Sequence, residues 1–292
     1  MIKLELLFSQ ELDELVLKGG CSEKQKGKFE KWVQNAELAR NSESLDSTLN
    51  QYDKAEGLLT WYTFAPLFRM NEELRILTIN AFLEPLMGPN VITSSVEIVL
   101  EKRLLSSTNY LDSIPYEHPV RYIRKKIDRH RKKKTRLENH THIDFFIESD
   151  RLIIPIEAKF TSDVEIQRDY NCVRNQIART IDVAIEAAKK AKTTKKVVFL
   201  LCVPERLYNR GRYYFYKMKD YENLKHLKHD IPHQASSLDT YFTAAHTIYW
   251  KDVASVIIGN AIKWNLLSND EIDALKIFYE ERLIELSIDP SS

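Results

Sequence analysis

Three ionisable side chains stand inside the most apolar part of this sequence, the stretch THIDFFIESDRLIIPIEAK from Thr141 to Lys159. Asp144, Glu157 and Lys159 are costly to bury in such surroundings unless they are paired or bind a metal ion. Two carboxylates are a usual protein complement for Mg²⁺, which keeps several waters and takes further oxygens from a phosphate substrate. An ion held there could polarise a scissile phosphate, and the amine could offset the developing charge. The pattern therefore indicates metal-dependent hydrolysis of a phosphate ester.

Two strands joined by a tight turn would position these groups. β-Branched and aromatic residues dominate both sides of Ser149-Asp150, which is the signal of a β-hairpin. Their continuous apolarity predicts that helices cover both faces of the sheet. A two-residue turn at Ser149-Asp150 would pair Asp144 with Pro155 and direct Asp144, Glu157 and Lys159 to one face. Because Pro155 cannot donate to a β-ladder, we also expect a bulge or bend there.

The motif formed by Asp144 and, thirteen residues on, Glu157-Ala158-Lys159 resembles the signature of the PD-(D/E)xK nuclease superfamily. The proline that usually precedes the aspartate is Ile143 in this chain. The resemblance implies that Asp144, Glu157 and the backbone carbonyl of Ala158 hold Mg²⁺ or Mn²⁺, and that Lys159 assists the attacking water. A surface hairpin with a Glu–Lys pair at its rim is the alternative, and the apolarity of the surrounding run argues against it.

The resemblance also implies a further acidic residue from a helix that precedes the sheet. The stretch Ser94–Leu105 is predicted as that helix, because Ser94 and Glu97 have the spacing of a capping box. Three glutamates are candidates for the further acid, and the sequence does not choose among them: Glu73, Glu97 and Glu101. An ordinary exposed helix carboxylate is the alternative interpretation of each.

The region after the hairpin is predicted to form a helix and a buried strand. Apolar residues at helical spacing indicate a helix from about residue 170 to 190, and VVFLLCV at 197–203 indicates the strand. Strand–strand–helix–strand is the order of the core in these nucleases, so the resemblance covers roughly residues 94–203. Related nucleases often carry a polar residue, frequently Gln, on this helix near the metal. Gln176 is the candidate, and a plain surface Gln is the alternative.

Basic residues are concentrated in one segment, although Lys and Arg (43) nearly balance Asp and Glu (42) over the whole chain. Between residues 121 and 136, ten of sixteen are Lys or Arg. Such a block is typical of a nucleic-acid-binding arm or of a solvated insertion, and its place just before Asp144 favours the arm. Phosphate contacts would then supply much of the affinity for DNA. The predicted DNA-binding residues are Arg124, Lys125, Lys126, Arg129, Arg131, Lys132, Lys133 and Lys134.

Length and composition bound the class of protein. A chain of 292 residues with 43% hydrophobic content can hold one large domain or two smaller ones. We expect a helical N-terminal region over residues 1–90, a nuclease core over 91–260 with the basic insertion 121–136, and a C-terminal helical extension over 261–292. Three widely spaced cysteines indicate reduced thiols. No apolar run is long enough for a bilayer, and the first residues lack the basic character of a signal peptide, so a cytoplasmic protein without membrane contact is expected.

The sequence thus predicts an α/β protein with a restriction endonuclease-like core, in which helices flank a mixed central sheet, behind a helical N-terminal region. The expected activity is Mg²⁺- or Mn²⁺-dependent endonucleolytic cleavage of DNA. Resemblance to restriction-like members implies a role in restriction or anti-phage defence. A non-catalytic nucleic-acid-binding or interaction protein that keeps the fold is the alternative. RNA is the other substrate class, and the sequence does not decide whether the partner is a second copy of the chain or a defence-system protein.

Overall fold

A five-stranded mixed sheet lies at the centre of the computed structural model, which describes residues 6–18, 21–40, 56–105, 128, 132, 140–160, 175–191, 193–205 and 212–288. From one edge to the other the strands are β1 (Val96–Leu105), β2 (His140–Ser149), β3 (Leu152–Ala158), β4 (Lys196–Val203) and β5 (Phe242–Tyr249). β1, β2 and β3 are antiparallel, whereas β3, β4 and β5 run parallel. The α/β class is therefore as predicted.

Helices flank this sheet, and they are numbered here in the order in which they occur along the chain. Those described before β1 are α1 (Ser9–Leu17), α2 (Glu23–Arg40), α3 (Glu56–Phe64), α4 (Pro66–Arg69) and α5 (Glu72–Met87). Those described after β3 are α6 (Gln176–Lys190), α7 (Tyr213–Tyr221), α8 (Leu224–Asp230), α9 (Ala235–Tyr241), α10 (Trp250–Lys263) and α11 (Asn269–Glu280), with a 3₁₀ turn at Pro232–Gln234. None of the helices in the described ranges is long and apolar enough to cross a membrane.

Helices from both ends of the chain pack on the same face of the sheet. Leu12 of α1 and Tyr279 of α11 share one buried core with Phe145 of β2. A second core, between the opposite face and helices α6 to α9, contains Ile181 and Phe199. The sheet is therefore covered on both sides, which accounts for the continuous apolarity of β3 and β4. The boundaries at residues 90 and 260 remain predictions.

The hairpin of β2 and β3 forms as predicted, but its turn lies one residue further along the chain. The turn is Asp150-Arg151, and Phe146 rather than Asp144 pairs with Pro155. Ser149 ends β2, and its Oγ accepts hydrogen bonds across the turn, including one of 3.0 Å from the N–H of Leu152. A shift of two residues in the pairing leaves each side chain on its predicted face, because alternation has a period of two.

Of the bulge or bend predicted at Pro155, the bulge is wrong, and the bend stays a prediction. The β3–β4 ladder has no described pairs at Ile154 and Pro155, yet Ile153 pairs with Val197 and Ile156 with Leu200 in one unchanged register. The missing N–H of a proline removes a ladder bond without forcing an extra residue into the strand.

The helix predicted over Ser94–Leu105 is wrong: this stretch is strand β1, which pairs with β2. Val96, Ile98 and Leu100 alternate with more exposed residues and enter the core. The capping-box spacing at Ser94 and Glu97 predicts a helix, whereas the apolar residues of the same stretch recur with a period of two. Pairing with a buried neighbour decided the conformation, as is common for β-branched segments.

Candidate active site

Asp144 lies where β2 parts from β3. The ladder between these strands extends to the pair Phe145–Ile156. One step further, Oδ2 of Asp144 accepts a hydrogen bond of 2.8 Å from the N–H of Ala158. The side chain therefore takes the place that a backbone carbonyl would have in the ladder, and its carboxylate is fixed beside the end of β3.

Strand β2 is irregular next to this residue. Ile143 packs in the core on the α6 side, whereas Phe145, two residues on, packs in the opposite core. Regular alternation would place both on one face. In the neighbouring strand, Glu101 has a positive φ of 49°, a conformation that is uncommon for residues other than glycine. Ile143 is therefore the residue that departs from regular alternation, whereas Asp144 and Glu157 keep the common face predicted from the sequence.

Lys159 is held from both sides at the end of β3. Its ammonium Nζ lies 3.0 Å from Oε1 of Glu157 and 2.9 Å from the carbonyl oxygen of Ala158. Its backbone N–H donates to the carbonyl of Cys202 at 2.9 Å, and its own carbonyl accepts from the indole N–H of Trp250 at 2.9 Å. Glu157 and Lys159 are 0% and 5% exposed, so this ion pair is buried.

A third carboxylate, Glu56, enters the site from the first residue of α3. Its Oε1 accepts from Nζ of Lys159 at 3.3 Å, and its Oε2 accepts from the N–H of Phe160 at 2.9 Å. Sequence reasoning missed this residue, which lies 103 positions before Lys159. The available signal was weak: an acidic residue begins the otherwise apolar helix EGLLTWYTF.

Gln176, a predicted site residue, also lies at this cluster. It is the first residue of α6, and its side-chain Nε2 donates to Oε1 of Glu157. Glu157 Oε1 therefore accepts from both Gln176 and Lys159. The preceding residue, Asn175, caps the helix by accepting from the N–H of Ala178. The structure thus brings together Asp144, Glu157, Lys159 and Gln176 as the sequence predicted.

Burial and charge set the protonation of the cluster. Burial, followed by the charge of Glu157, raises the pKa of Asp144 well above its ordinary value. Burial also raises the pKa of Glu157. Burial by itself would lower the pKa of Lys159, but the charges of Glu157, Glu56 and Asp144 outweigh that effect and raise it. Lys159 is therefore an ammonium, while Asp144 and Glu157 bind protons more readily than free carboxyl groups do.

The cluster has the donors and the surplus negative charge that suit a divalent cation. Three carboxyl groups, from Glu56, Asp144 and Glu157, face the single ammonium of Lys159. Oε2 of Glu157 is buried and accepts no hydrogen bond from the described residues. A proton shared with Asp144 or a bound cation would satisfy that oxygen. The residues present therefore fit Mg²⁺ or Mn²⁺, with the carbonyl of Ala158 as a third oxygen.

Water and substrate would have to complete the coordination of such an ion. Within the described ranges, no three His, Cys, Asp or Glu side chains form a preassembled metal centre. Mg²⁺ commonly binds through one or two carboxylates and keeps several waters. Asp144 retains partial exposure and the side chain of Glu56 is 22% exposed, so solvent reaches the cluster on this side.

Comparison with known proteins gives no relative. No protein-family model, curated protein or solved structure matches this chain.

The structure does not bring the three upstream glutamates to the site. Glu73 and Glu97 are exposed, and the charged neighbours of Glu101 are Lys28 and Arg103. Glu56 supplies the further acid instead.

Most of the predicted DNA-binding segment lies outside the described residues. Lys132 is described and exposed. The others that lie outside are Arg124, Lys125, Lys126, Arg129, Arg131, Lys133 and Lys134. The pair Leu105–His140, at the loop end of the β1–β2 hairpin, marks where the insertion that contains this segment leaves and rejoins the sheet.

Proposed function

We propose that this protein is a metal-dependent deoxyribonuclease of the PD-(D/E)xK type, with a restriction endonuclease-like core, that cleaves DNA endonucleolytically in restriction or anti-phage defence. The observation that carries the proposal is the pairing of Asp144 with the buried Glu157, whose Oε1 accepts from the ammonium of Lys159 and whose Oε2 accepts no hydrogen bond from the described residues. Such a group is expensive to maintain in a fold for stability alone.

The role of each residue follows from its contacts. Asp144, Glu157 and the carbonyl of Ala158 would hold Mg²⁺ or Mn²⁺, and the ion, when bound, supplies Lewis-acid polarisation of the phosphate and a more acidic water. Hydrolysis proceeds when a water oxygen attacks phosphorus and the bond to one deoxyribose oxygen breaks. Lys159, fixed as an ammonium, can orient that water and offset the charge that develops on the phosphoryl oxygens.

Two further side chains support this arrangement. Gln176 holds Oε1 of Glu157, which fixes the direction of the carboxylate. Glu56 orients Lys159 from the opposite side through the contact of 3.3 Å. Groups that orient metal ligands commonly contribute about 10–100-fold to metal affinity or activity.

The basic segment 121–136 supports nucleic acid as the substrate. The insertion that contains it follows Leu105 and precedes His140, which is four residues before Asp144 in the chain. The side chains of Lys102 and Arg103 add positive charge on the same hairpin. A polyanion bound along this segment would be held close to the candidate site.

Incubation with supercoiled, linear and single-stranded DNA, with Mg²⁺ or Mn²⁺ and with EDTA, tests the proposal. Wild type should cleave only with metal, and Asp144→Asn and Lys159→Ala should lose at least about 100-fold in rate. Asp239→Asn is the matched control, because Asp239 is an exposed carboxylate paired with Lys228 at 2.9 Å. Salt-sensitive DNA binding without cleavage, by wild type and variants alike, would contradict the nuclease and favour a non-catalytic DNA-binding protein. Cleavage of RNA but not of DNA would show that RNA is the substrate.

A further inference from the structure

The N-terminus of α6 is anchored by a hydrogen-bond network that involves no residue assigned above to chemistry. Asn175 caps the helix with Oδ1, which accepts from the N–H of Ala178 at 3.0 Å. Its Nδ2 donates to the hydroxyl of Tyr221 at 2.6 Å and faces Oδ2 of Asp230 at 3.4 Å. Asn175 is 4% exposed and Tyr221 is 2% exposed. One buried amide therefore joins the start of α6 to α7 and α8.

The network contains a carboxylate that stays ionised. The hydroxyl of Tyr221 donates to Oδ2 of Asp230 at 2.5 Å, and the ammonium of Lys217 lies 3.2 Å from the same oxygen. Burial would raise the pKa of Asp230, but the hydrogen bond from Tyr221 and the charge of Lys217 lower it below its ordinary value. Hydrogen bonds to an ionised acceptor are roughly twice as strong as neutral ones. The anchor is therefore stronger than a helix cap alone.

We propose that Tyr221 and Asp230 are positioning residues, which act through Asn175 to hold Gln176 against Glu157. Gln176 directly follows Asn175 in the chain, so an anchor on Asn175 also fixes the backbone from which the Gln176 side chain reaches the acid. This inference rests on the proposed function, because Glu157 is taken there as a metal ligand.

The geometry explains why an anchor is needed at this point. Gln176 has three rotatable side-chain bonds, and its amide reaches Glu157 from the first turn of the helix. The first turn is also where helices fray, because its N–H groups lack partners within the helix. A displacement of about 1 Å in a supporting group can cost on the order of 100-fold in rate. Holding Asn175 from α7 and α8 removes that freedom.

Tyr221→Phe tests the proposal, because it deletes only the hydroxyl. We expect kcat for metal-dependent cleavage to fall about 10-fold, with the KM for DNA unchanged, since the DNA-contacting residues are untouched. Tyr279→Phe is the matched control: Tyr279 is also buried, and its hydroxyl shares a hydrogen bond of 2.6 Å with Thr63. Both variants should lose stability, but only Tyr221→Phe should lose kcat.

A double-mutant cycle separates positioning from a purely structural role. If Tyr221 acts through Gln176, then Tyr221→Phe should cost less than about 2-fold once Gln176→Ala is present. Fully additive losses would overturn the proposal. Asp230→Asn, which keeps the shape of the side chain but removes its charge, should give the same pattern.

A measurement without metal keeps this inference distinct from the proposed function. The side-chain amide resonance of Gln176, assigned by its absence in Gln176→Ala, should shift in Tyr221→Phe and Asp230→Asn but not in Tyr279→Phe. If the Gln176 resonance shifts in these variants but wild type does not cleave DNA, the proposed nuclease function is wrong and the positioning of Gln176 by Tyr221 and Asp230 is supported. An unmoved resonance in Tyr221→Phe would overturn the anchor whether or not the wild type cleaves DNA.

Discussion

Asp144→Asn should make the metal-free protein more stable. The aspartate lies in buried surroundings beside Glu157, and both factors raise its pKa well above its ordinary value. The folded state must therefore either hold two negatively charged carboxylates close together or bind a proton. In the unfolded chain both carboxyl groups ionise without this cost. Asparagine removes the charge and keeps an oxygen that can accept the 2.8 Å hydrogen bond from Ala158.

The free energy of unfolding should increase by about 1–2 kcal/mol near pH 8, which is the usual effect of removing one unfavourable group at a functional site. At about 2–4 °C per kcal/mol, the midpoint of thermal unfolding should rise by roughly 2–8 °C. The sign of the pH dependence follows from the raised pKa. Between the unfolded and the folded pKa the native wild type holds more protons, so its stability falls as pH rises through that window. The advantage of Asp144→Asn should therefore shrink as the pH is lowered towards the ordinary pKa of aspartate.

Thermal unfolding in EDTA across pH 5 to 8 measures this difference. Asp182→Asn is the control for a carboxylate that has partners: Asp182 is 0% exposed, and its Oδ1 lies 2.8 Å from both Gln234 and His233. That variant should be less stable than wild type. A loss of stability in Asp144→Asn at every pH would show that Asp144 is a satisfied structural group and would refute the electrostatic reasoning.

Three further predictions follow from the same contacts. Glu56→Gln should lower the cleavage rate about 10-fold with DNA binding unchanged, because Glu56 orients Lys159 and is not one of the predicted DNA-binding residues. Equal losses in both assays would contradict this role. Lys159→Met should abolish cleavage yet tighten Mn²⁺ binding several-fold, by about 1 kcal/mol. The reason is that an ammonium no longer competes with the metal ion for Glu157. Weaker Mn²⁺ binding by this variant in calorimetry would oppose this reasoning. Mn²⁺ binding should release protons and become stronger as pH rises, because the raised pKa values of Asp144 and Glu157 mean that the metal-free site binds protons which the ion must displace. A binding enthalpy that does not depend on the ionisation enthalpy of the buffer would contradict this prediction.

The sequence located the hairpin and its acidic motif because both depend on local patterns. Apolar β-branched runs predicted β2, β3 and β4, and helical spacing predicted the helix that is α6. The observed pairing of β2 with β3 differs from the predicted pairing because Ser149 is the last residue of β2 and accepts hydrogen bonds across the turn, instead of lying in the turn itself. Ser149, Asp150 and Arg151 are all polar, so composition does not show which two of them form the turn.

The parts that failed depend on contacts between distant segments. The local pattern of β1 predicts a helix, because its strand conformation depends on pairing with β2 across an insertion of more than thirty residues. Glu56 reaches Lys159 only through the packing of α3 on the sheet, and no local pattern marks it. No local pattern marks Tyr221 either, and its link to Asn175 becomes visible only in three dimensions.

Mn²⁺ titration followed by electron paramagnetic resonance tests the central claim most directly, namely that Asp144 and Glu157 together bind a divalent cation. Wild type should bind Mn²⁺ saturably in the micromolar to millimolar range, and Glu157→Gln should bind at least about 10-fold more weakly while it remains folded. Equal binding by both proteins, or no saturable binding by wild type at millimolar Mn²⁺, would contradict the account.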